Sequence, residues 1–221
     1  MFENCIIMAA GSGTRMKPLT DVVPKAMAPF KKSTLIKNRL DTLDDVKNIH
    51  VTVGYKKKLI SEYLISQDIS TIIDTENKGN CWWVFNSLMK HIDEPVIVFT
   101  CDNIAKINLK IIYEDYIKMG SPLCMVLPAH PIDGIDGDYI ELGSKNRVLS
   151  LSRTVKNHTY CSGIQILCPK KINSILKECD DFSVLWKNLI DLGELFSSNI
   201  ILKDWRSIDD LEQLRIANEQ S

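Results

Sequence analysis

Residues 5–25 read CIIMAAGSGTRMKPLTDVVPK: an apolar run that breaks directly into a glycine-bearing, proline-stiffened, basic loop. The run Cys5–Ala9 has no polar alternation and predicts a short strand buried on both faces. Gly11 and Gly13 let the backbone approach a ligand closely and turn its N–H groups toward an anion. Arg15 adds a planar fork suited to phosphate oxygens, and Lys25 adds a point charge. Pro18 and Pro24 stiffen the loop, so both cations can be held with little ordering cost on binding.

Outward from this loop, short apolar runs alternate with helical patterns. Leu35–Leu43 predicts a helix capped near Ser33 or Thr34, and Ile49–Val53 a second strand ending in Gly54. Leu59–Ile65 is helical, Thr71–Asp74 is a short strand, and Trp82–His91 is helical with Asn80 as N-cap. Pro95–Thr100 (PVIVFT) is a continuous apolar strand. Strands alternating with helices in this way predict a parallel sheet with helices on both sides. Later residues predict a helix over Ile107–Met119 and strands at Leu123–Leu127, Tyr139–Leu142, Val148–Leu151 and Gly163–Leu167. A Pro169-started helix and a last helix near Asp209–Asn218 follow.

No linker, repeat or low-complexity segment interrupts the 221 residues. The expected fold class is therefore α/β: one Rossmann-like domain, its central sheet mostly parallel, helices on both faces, and mixed strands in the second half. Residues 1–105 are expected to form the nucleotide-binding half and 106–221 the acceptor-binding half. Hydrophobic residues make up 45% and charged residues 25%, a composition suited to a water-exposed globular chain. The 27 Lys and Arg against 28 Asp and Glu give a net charge of −1, which argues against coating nucleic acid. No run approaches the ~18 apolar residues of a spanning helix, and the N-terminus lacks the basic region of a signal peptide. The seven cysteines form no CxxC pair, so neither a zinc site nor a disulfide framework is expected. Reduced thiols, no membrane partner and a cytoplasmic location fit best.

The loop is not a Walker A motif, and Met16 stands where the dinucleotide fingerprint needs a glycine. A solvated strand–helix loop with incidental charges is the plain alternative, which a lone GxG would favour. The whole pattern GxGTRxxPxTxxxPK instead resembles the signature of the nucleotidylyltransferase superfamily. Its members include sugar-1-phosphate nucleotidylyltransferases and phosphocholine cytidylyltransferases. The match runs over Gly11, Gly13, Thr14, Arg15, Pro18, Thr20, Pro24 and Lys25. The resemblance implies that Ala9, Ala10, Gly11, Ser12, Gly13 and Thr14 wrap an NTP, with Arg15 and Lys25 as catalytic cations on its phosphates.

Asp102 follows the PVIVFT strand, where ligands bind in parallel sheets. It suits a magnesium ligand, or an N-cap for the next segment. The family pattern places a metal-binding Asp at this strand end. Asp204–Leu214 resembles the family's WxDxDTPEDL segment: Trp205 and Ile208 align, Ser207 stands at the first acidic position, and Asp209 falls on the second. Asp209 is the expected second Mg²⁺ ligand, although Asp209 and Asp210 also suit the start of the last helix. Gly79 and Asn80 stand where the family has a Gly-Thr-Ala-like turn that touches the base and the ribose, with Asn80 in place of the threonine. Trp82 and Trp83 follow; a core role for both is the default for tryptophan, and Trp82 is the candidate to line an acceptor pocket instead. On the acceptor side, Arg153 is the expected phosphate contact, with a surface cation as the alternative. Gly163, in a strand resembling the family's NxGIYVxxP, would allow close approach. The four histidines carry no catalytic spacing.

The resemblance implies Mg²⁺-dependent nucleotidyl transfer from an NTP to a phosphorylated small-molecule acceptor. A sugar 1-phosphate in surface-glycan precursor synthesis is the first reading. A CTP-dependent enzyme for phosphocholine, with Trp82 and Trp83 as a cation–π site, is the second. A non-catalytic nucleotide-binding relative is the third, favoured by Ser207. With the chain ending at Ser221, no appended β-helical acyltransferase domain is expected. Leu185–Leu195 is apolar enough for an oligomer interface or a core helix.

Overall fold

A computed structural model describes residues 1–135 and 137–219. Its strands are β1 (Asn4–Met8), β2 (Pro29–Phe30), β3 (Ser33–Thr34), β4 (Asn48–Val53), β5 (Thr71–Asp74), β6 (Val96–Thr100) and β7 (Asn103–Lys106). They continue with β8 (Cys124–Ala129), β9 (Asp138–Leu142), β10 (Val148–Ser152), β11 (Tyr160–Leu167), β12 (Leu195–Ser197) and β13 (Lys203–Ser207). The helices are α1 (Leu19–Val22), α2 (Leu35–Leu40), α3 (Lys57–Ile65), α4 (Trp82–Asn86), α5 (Leu109–Lys118), α6 (Pro169–Ile175), α7 (Phe182–Leu192) and α8 (Leu211–Glu219).

Nine strands form one sheet, with the path β10-β9-β11-β6-β1-β4-β5 and β8 and β12 joined to it beside β11. The four strands of the first half, β6-β1-β4-β5, are parallel throughout. β11 joins β6 antiparallel, which carries the sheet into the second half without a break. The expected α/β class, mostly parallel core and mixed later strands are all present.

Burial follows the period-2 alternation of each strand. In β6, Ile97 and Phe99 face one apolar cluster while Val96 and Val98 face another on the opposite side of the sheet. In β1, Cys5 and Ile7 join the first cluster and Ile6 joins the second. A run buried on both faces thus needs a helix layer on each side, and the α/β order supplies both.

Two helix expectations change. The helix expected over Trp82–His91 stops at Asn86. Ser87 adopts an extended backbone, and its Oγ donates to the Trp83 carbonyl at 2.6 Å. The same Oγ accepts the Met89 N–H at 3.2 Å, which starts a separate 3₁₀ turn, Leu88–His91. Serine competes for backbone groups in this way and so breaks helices. The N-cap of α4 is Cys81, not Asn80, whose Oδ1 instead accepts the N–H of Phe182 at 2.8 Å. The apolar stretch Leu185–Leu195 overlaps the end of α7 and reaches β12, with Leu185 and Leu189 fully buried in the second cluster, so the inner face of this helix is core.

A small antiparallel ribbon, β7 with β13, sits beside the main sheet with Ser207 opposite Asn103. It begins one residue after Asp102 and ends two before Asp209. The Ile208 N–H donates to the Asp102 carbonyl at 3.0 Å, so the ribbon brings chain segments a hundred residues apart to one point.

Ile97 is fully buried at the centre of β6, in register with Cys5 and Ile166. Ile97→Ala is expected to lower stability by about 2–5 kcal/mol. Urea unfolding would show this as a lower midpoint with an unchanged m-value; an unchanged midpoint would contradict the packing described.

Candidate active site

Strand order reverses at β1: the chain runs outward to β4 and β5, then returns to β6 on the other side. In open α/β sheets the crevice at such a switch point, beyond the carboxyl ends of the strands, is where ligands bind. A cleft of about 660 Å³ lies there, within the usual range of small-molecule sites. Met8, Thr52 and Thr100, at or near the ends of β1, β4 and β6, line its floor. Gly11–Arg15 form one wall and Thr75–Asn80 the other. Lys25, Asp102 and Asp209 close the end between them.

The loop holds its shape through its own contacts. Gly13 has φ +59°, and a Cβ there would lie 2.9 Å from the Lys25 Cβ, so only glycine fits the turn without strain. Thr20 Oγ1 donates to the Gly13 carbonyl at 2.9 Å, and Tyr55 Oη donates to the Thr20 carbonyl at 2.9 Å. These bonds tie the loop across itself and to Tyr55, two residues past the end of β4, while Gly11 and Ser12 stay exposed to the cleft.

The charged end is a compact array. Lys25 is only 8% exposed, and its Nζ donates to Asp102 Oδ2 and, at 2.9 Å, to Asp209 Oδ1. Arg15 Nη2 reaches the same Asp209 oxygen at 3.2 Å from a largely exposed position at the lip. Ser207 Oγ donates to Asp209 Oδ2 at 2.9 Å. Burial alone would push Asp209 upward. The charge of Lys25, the hydrogen bonds from Lys25 and Ser207, and the charge of Arg15 outweigh it, holding this carboxyl below the usual range. Burial would push Lys25 down, but Asp102, Cys101 and Asp209 raise it on balance, so it stays cationic.

These contacts decide between the alternatives for each acid. Asp102 caps no helix: β7 follows it, and its carboxylate meets Lys25. At α8 the capping falls to Asp210, whose Oδ1 accepts the Gln213 N–H at 2.8 Å, leaving the Asp209 carboxylate to face the cleft. Ser207, which stands where the family pattern has its first acid, donates to Asp209 instead of adding a charge. The two carboxylates converge on one cation, the Lys25 ammonium. A pair of hard oxygen donors converging on one point is a donor set that fits a divalent ion with phosphate and water completing its shell.

Residues 4–151, more than half of the chain, match the family described as Nucleotidyl transferase, and the chain belongs to that family. It is 24% identical over 156 residues to a bifunctional protein GlmU of Methanococcus aeolicus, covering 70% of this chain and 36% of the relative. It is 32% identical over 112 residues to a UTP–glucose-1-phosphate uridylyltransferase, AglF, of Haloferax volcanii, covering 48% of this chain and 46% of the relative. The chain thus spans under half the length of these curated relatives. Among solved structures, a CTP:phosphocholine cytidylyltransferase of Streptococcus pneumoniae superposes with a TM-score of 0.77 at 21% identity. That match covers 100% of this chain and 99% of the other.

The structure gathers Ala10, Gly11, Ser12, Gly13, Thr14, Arg15, Lys25, Gly79, Asn80, Asp102 and Asp209 around one cleft. The other expected contacts lie elsewhere. Ala9 is buried, its N–H bonded to the Thr52 carbonyl at 3.1 Å, so it supports the loop from below. Trp82 packs at the edge of the second cluster under Lys78 and does not line the cleft, and Trp83 is fully buried. The expected aromatic acceptor pocket from this pair is therefore absent from the described cleft; a helix starting at Trp82 turns both rings toward the core. Arg153 is a surface cation bonded to Asp138 at 3.3 Å, outside the cleft. Gly163 makes room for the protein itself, since a Cβ there would lie 2.6 Å from Asn103 Nδ2. Gly79 likewise has a packing role, because a Cβ would come within 1.9 Å of the Asp180 carbonyl oxygen.

Thr52, Tyr55, Thr75, Glu76, Asn77, Lys78 and Thr100 also line the cleft and were not singled out by the sequence reading. All sit at or just past the ends of β4, β5 and β6. Applying the strand-end rule to every parallel strand, and not to β6 alone, would have found them. Among the described residues no helix is long and apolar enough to cross a membrane.

Two predictions follow from these contacts. Gly79→Ala cannot be absorbed, since the obstructing atom is backbone, and is expected to cost about 1–3 kcal/mol. At Gly11 a Cβ meets nothing within 4 Å, so Gly11→Ala is expected to keep the wild-type melting temperature. Calorimetric unfolding of both variants checks the contrast, and equal losses would refute it. The second prediction concerns pH. Asp209, held low in the folded chain, contributes stability that is present above about pH 4 and lost as the pH falls through its folded value. The melting-temperature gap between wild type and Lys25→Met, without divalent cations, should be widest near neutral pH and shrink below about pH 4. A constant gap from pH 7 to pH 3 would remove this electrostatic account.

Proposed function

We propose that this chain transfers a nucleotidyl group from an NTP to a phosphate-monoester acceptor of the sugar 1-phosphate class, releasing pyrophosphate. The observation that carries this reading is the convergence of Lys25, Arg15, Asp102 and Asp209 at the mouth of a glycine-bearing loop. The uridylyltransferase above is named for glucose 1-phosphate, and the similarity to the bifunctional GlmU of Methanococcus aeolicus covers 70% of this chain. A role in supplying activated sugars for surface glycans is part of the proposal.

The chemistry asks for positioning and charge control. A phosphate monoester has its second pKa near 6, so the nucleophile is largely ionised at neutral pH and needs no general base. The obstacle is repulsion between anions and charge growing on the leaving pyrophosphate. Exposed backbone at Gly11 and Ser12 would take triphosphate oxygens. Arg15, already at the cleft lip, would stabilise the departing pyrophosphate. Lys25 would neutralise the α-phosphate as the acceptor oxygen adds and the bridging oxygen leaves. Asp102 and Asp209 would hold Mg²⁺, which when bound would draw triphosphate and acceptor oxygens together and offset their charge.

Pyrophosphate release with Mg²⁺, each of four NTPs, and a panel of sugar 1-phosphates plus phosphocholine tests the reading. Release with one NTP and one acceptor is expected. Arg15→Ala and Lys25→Ala should each lose on the order of 10²–10³ in kcat. Near-normal turnover in either variant, or silence across the panel with no NTP binding, would overturn the assignment. Turnover with CTP and phosphocholine alone would move the acceptor from the sugar class to the amino-alcohol class.

A further inference from the structure

Arg39 lies on α2, outside the cleft, and is only 5% exposed. Its Nη2 donates to the Asn103 carbonyl, and its guanidinium carbon lies 4.5 Å from the centroid of the Phe99 ring. Its Nε has no partner among the described residues. Burying a guanidinium without an ion pair costs stability that an apolar side chain of similar size would not. Burial lowers Arg39 to about 10, so it remains cationic at neutral pH.

What the buried fork grips is the turn between β6 and β7, which carries Asp102. Arg39 holds the carbonyl of Asn103. The amide of the same residue donates to the Ser162 carbonyl at 2.7 Å, and Trp205 Nε1 on β13 donates to that carbonyl at 3.1 Å. Gly163 leaves the space that the Asn103 amide occupies. Ile208 N–H then ties the Asp102 carbonyl to the segment leading to Asp209. These bonds form one connected set, from Phe99 through Arg39 and Asn103 to the two strands that present the acids.

We infer that Arg39 is a positioning residue for the transfer: from beneath the sheet end it fixes the Asp102–Asn103 turn, and so the separation across which Asp102 and Asp209 share a cation. The geometry of the turn stands on the structure alone, and the catalytic consequence rests on the proposed transfer. Lysine cannot replace it, because an ammonium lacks the planar face that stacks on Phe99 and the fork that reaches the carbonyl.

Arg39→Lys and Arg39→Gln test this by two readouts. Hydrogen exchange of the purified chain should quicken by about tenfold or more in peptides spanning residues 100–108, with β1 and β4 unchanged. Pyrophosphate release, scaled to the number of nucleotide-binding sites, should fall about ten- to hundredfold in kcat, with the KM for NTP within about twofold. Arg39 does not line the cleft, which is why KM is spared. Faster exchange spread evenly over the sheet, with kcat per nucleotide-binding site unchanged, would make Arg39 a packing residue and overturn the inference. Should Arg39→Gln not fold, Arg39→Lys retains the charge and decides alone. Localised exchange in a chain whose wild type releases no pyrophosphate would overturn the transfer reading while supporting the positioning of the turn.

Discussion

The ammonium of Lys25, held between the carboxylates of Asp102 and Asp209, is the interaction on which the site depends. Two carboxylates turned toward one point repel each other unless a cation lies between them. In the chain by itself that cation is Lys25. The cost of burying it is met by the two acids, and the cost of crowding the two acids is met by it. Because the same two carboxylates fit a divalent ion, any such ion must share or displace the lysine.

The fold exists around that point as a set of constraints on backbone. β1 and β6 lie side by side, so the glycine-bearing loop after one and Asp102 after the other emerge together. The ribbon of β7 and β13 returns the C-terminal segment to the same place, with Ser207 paired to Asn103 before the chain reaches Asp209. Lys25 arrives from the loop itself, fixed by the fit of Gly13 against its side chain. Three segments far apart in sequence thus meet through backbone pairing. Side-chain chemistry is added at positions already set, as electrostatic preorganisation requires.

Much of this was legible in the chain. The apolar runs at Cys5–Ala9 and Pro95–Thr100 announced the buried parallel strands, and the loop pattern announced the family. Residues marked by a local pattern, such as Gly11, Gly13, Arg15 and Lys25, were legible, and they line the cleft. Residues whose role depends on remote packing were not. The missing side chains of Gly79 and Gly163 make room for Asp180 and Asn103, contacts that no spacing rule reveals. Trp82 was read from its chemistry, yet the start of α4 turns it toward the core. Arg39 resembles any helical cation in sequence, and only its burial against Phe99 and Asn103 sets it apart.

In the proposed transfer, the bond broken lies between the α- and β-phosphorus of an NTP. Following label from NTP carrying ³²P at either the α or the γ position, with Mg²⁺ and a phosphorylated acceptor, tests it most directly. The proposed transfer moves α label into a phosphatase-resistant diester of diphosphate, while γ label is recovered as pyrophosphate. Release of γ label as orthophosphate, or α label remaining in free nucleotide, would contradict it.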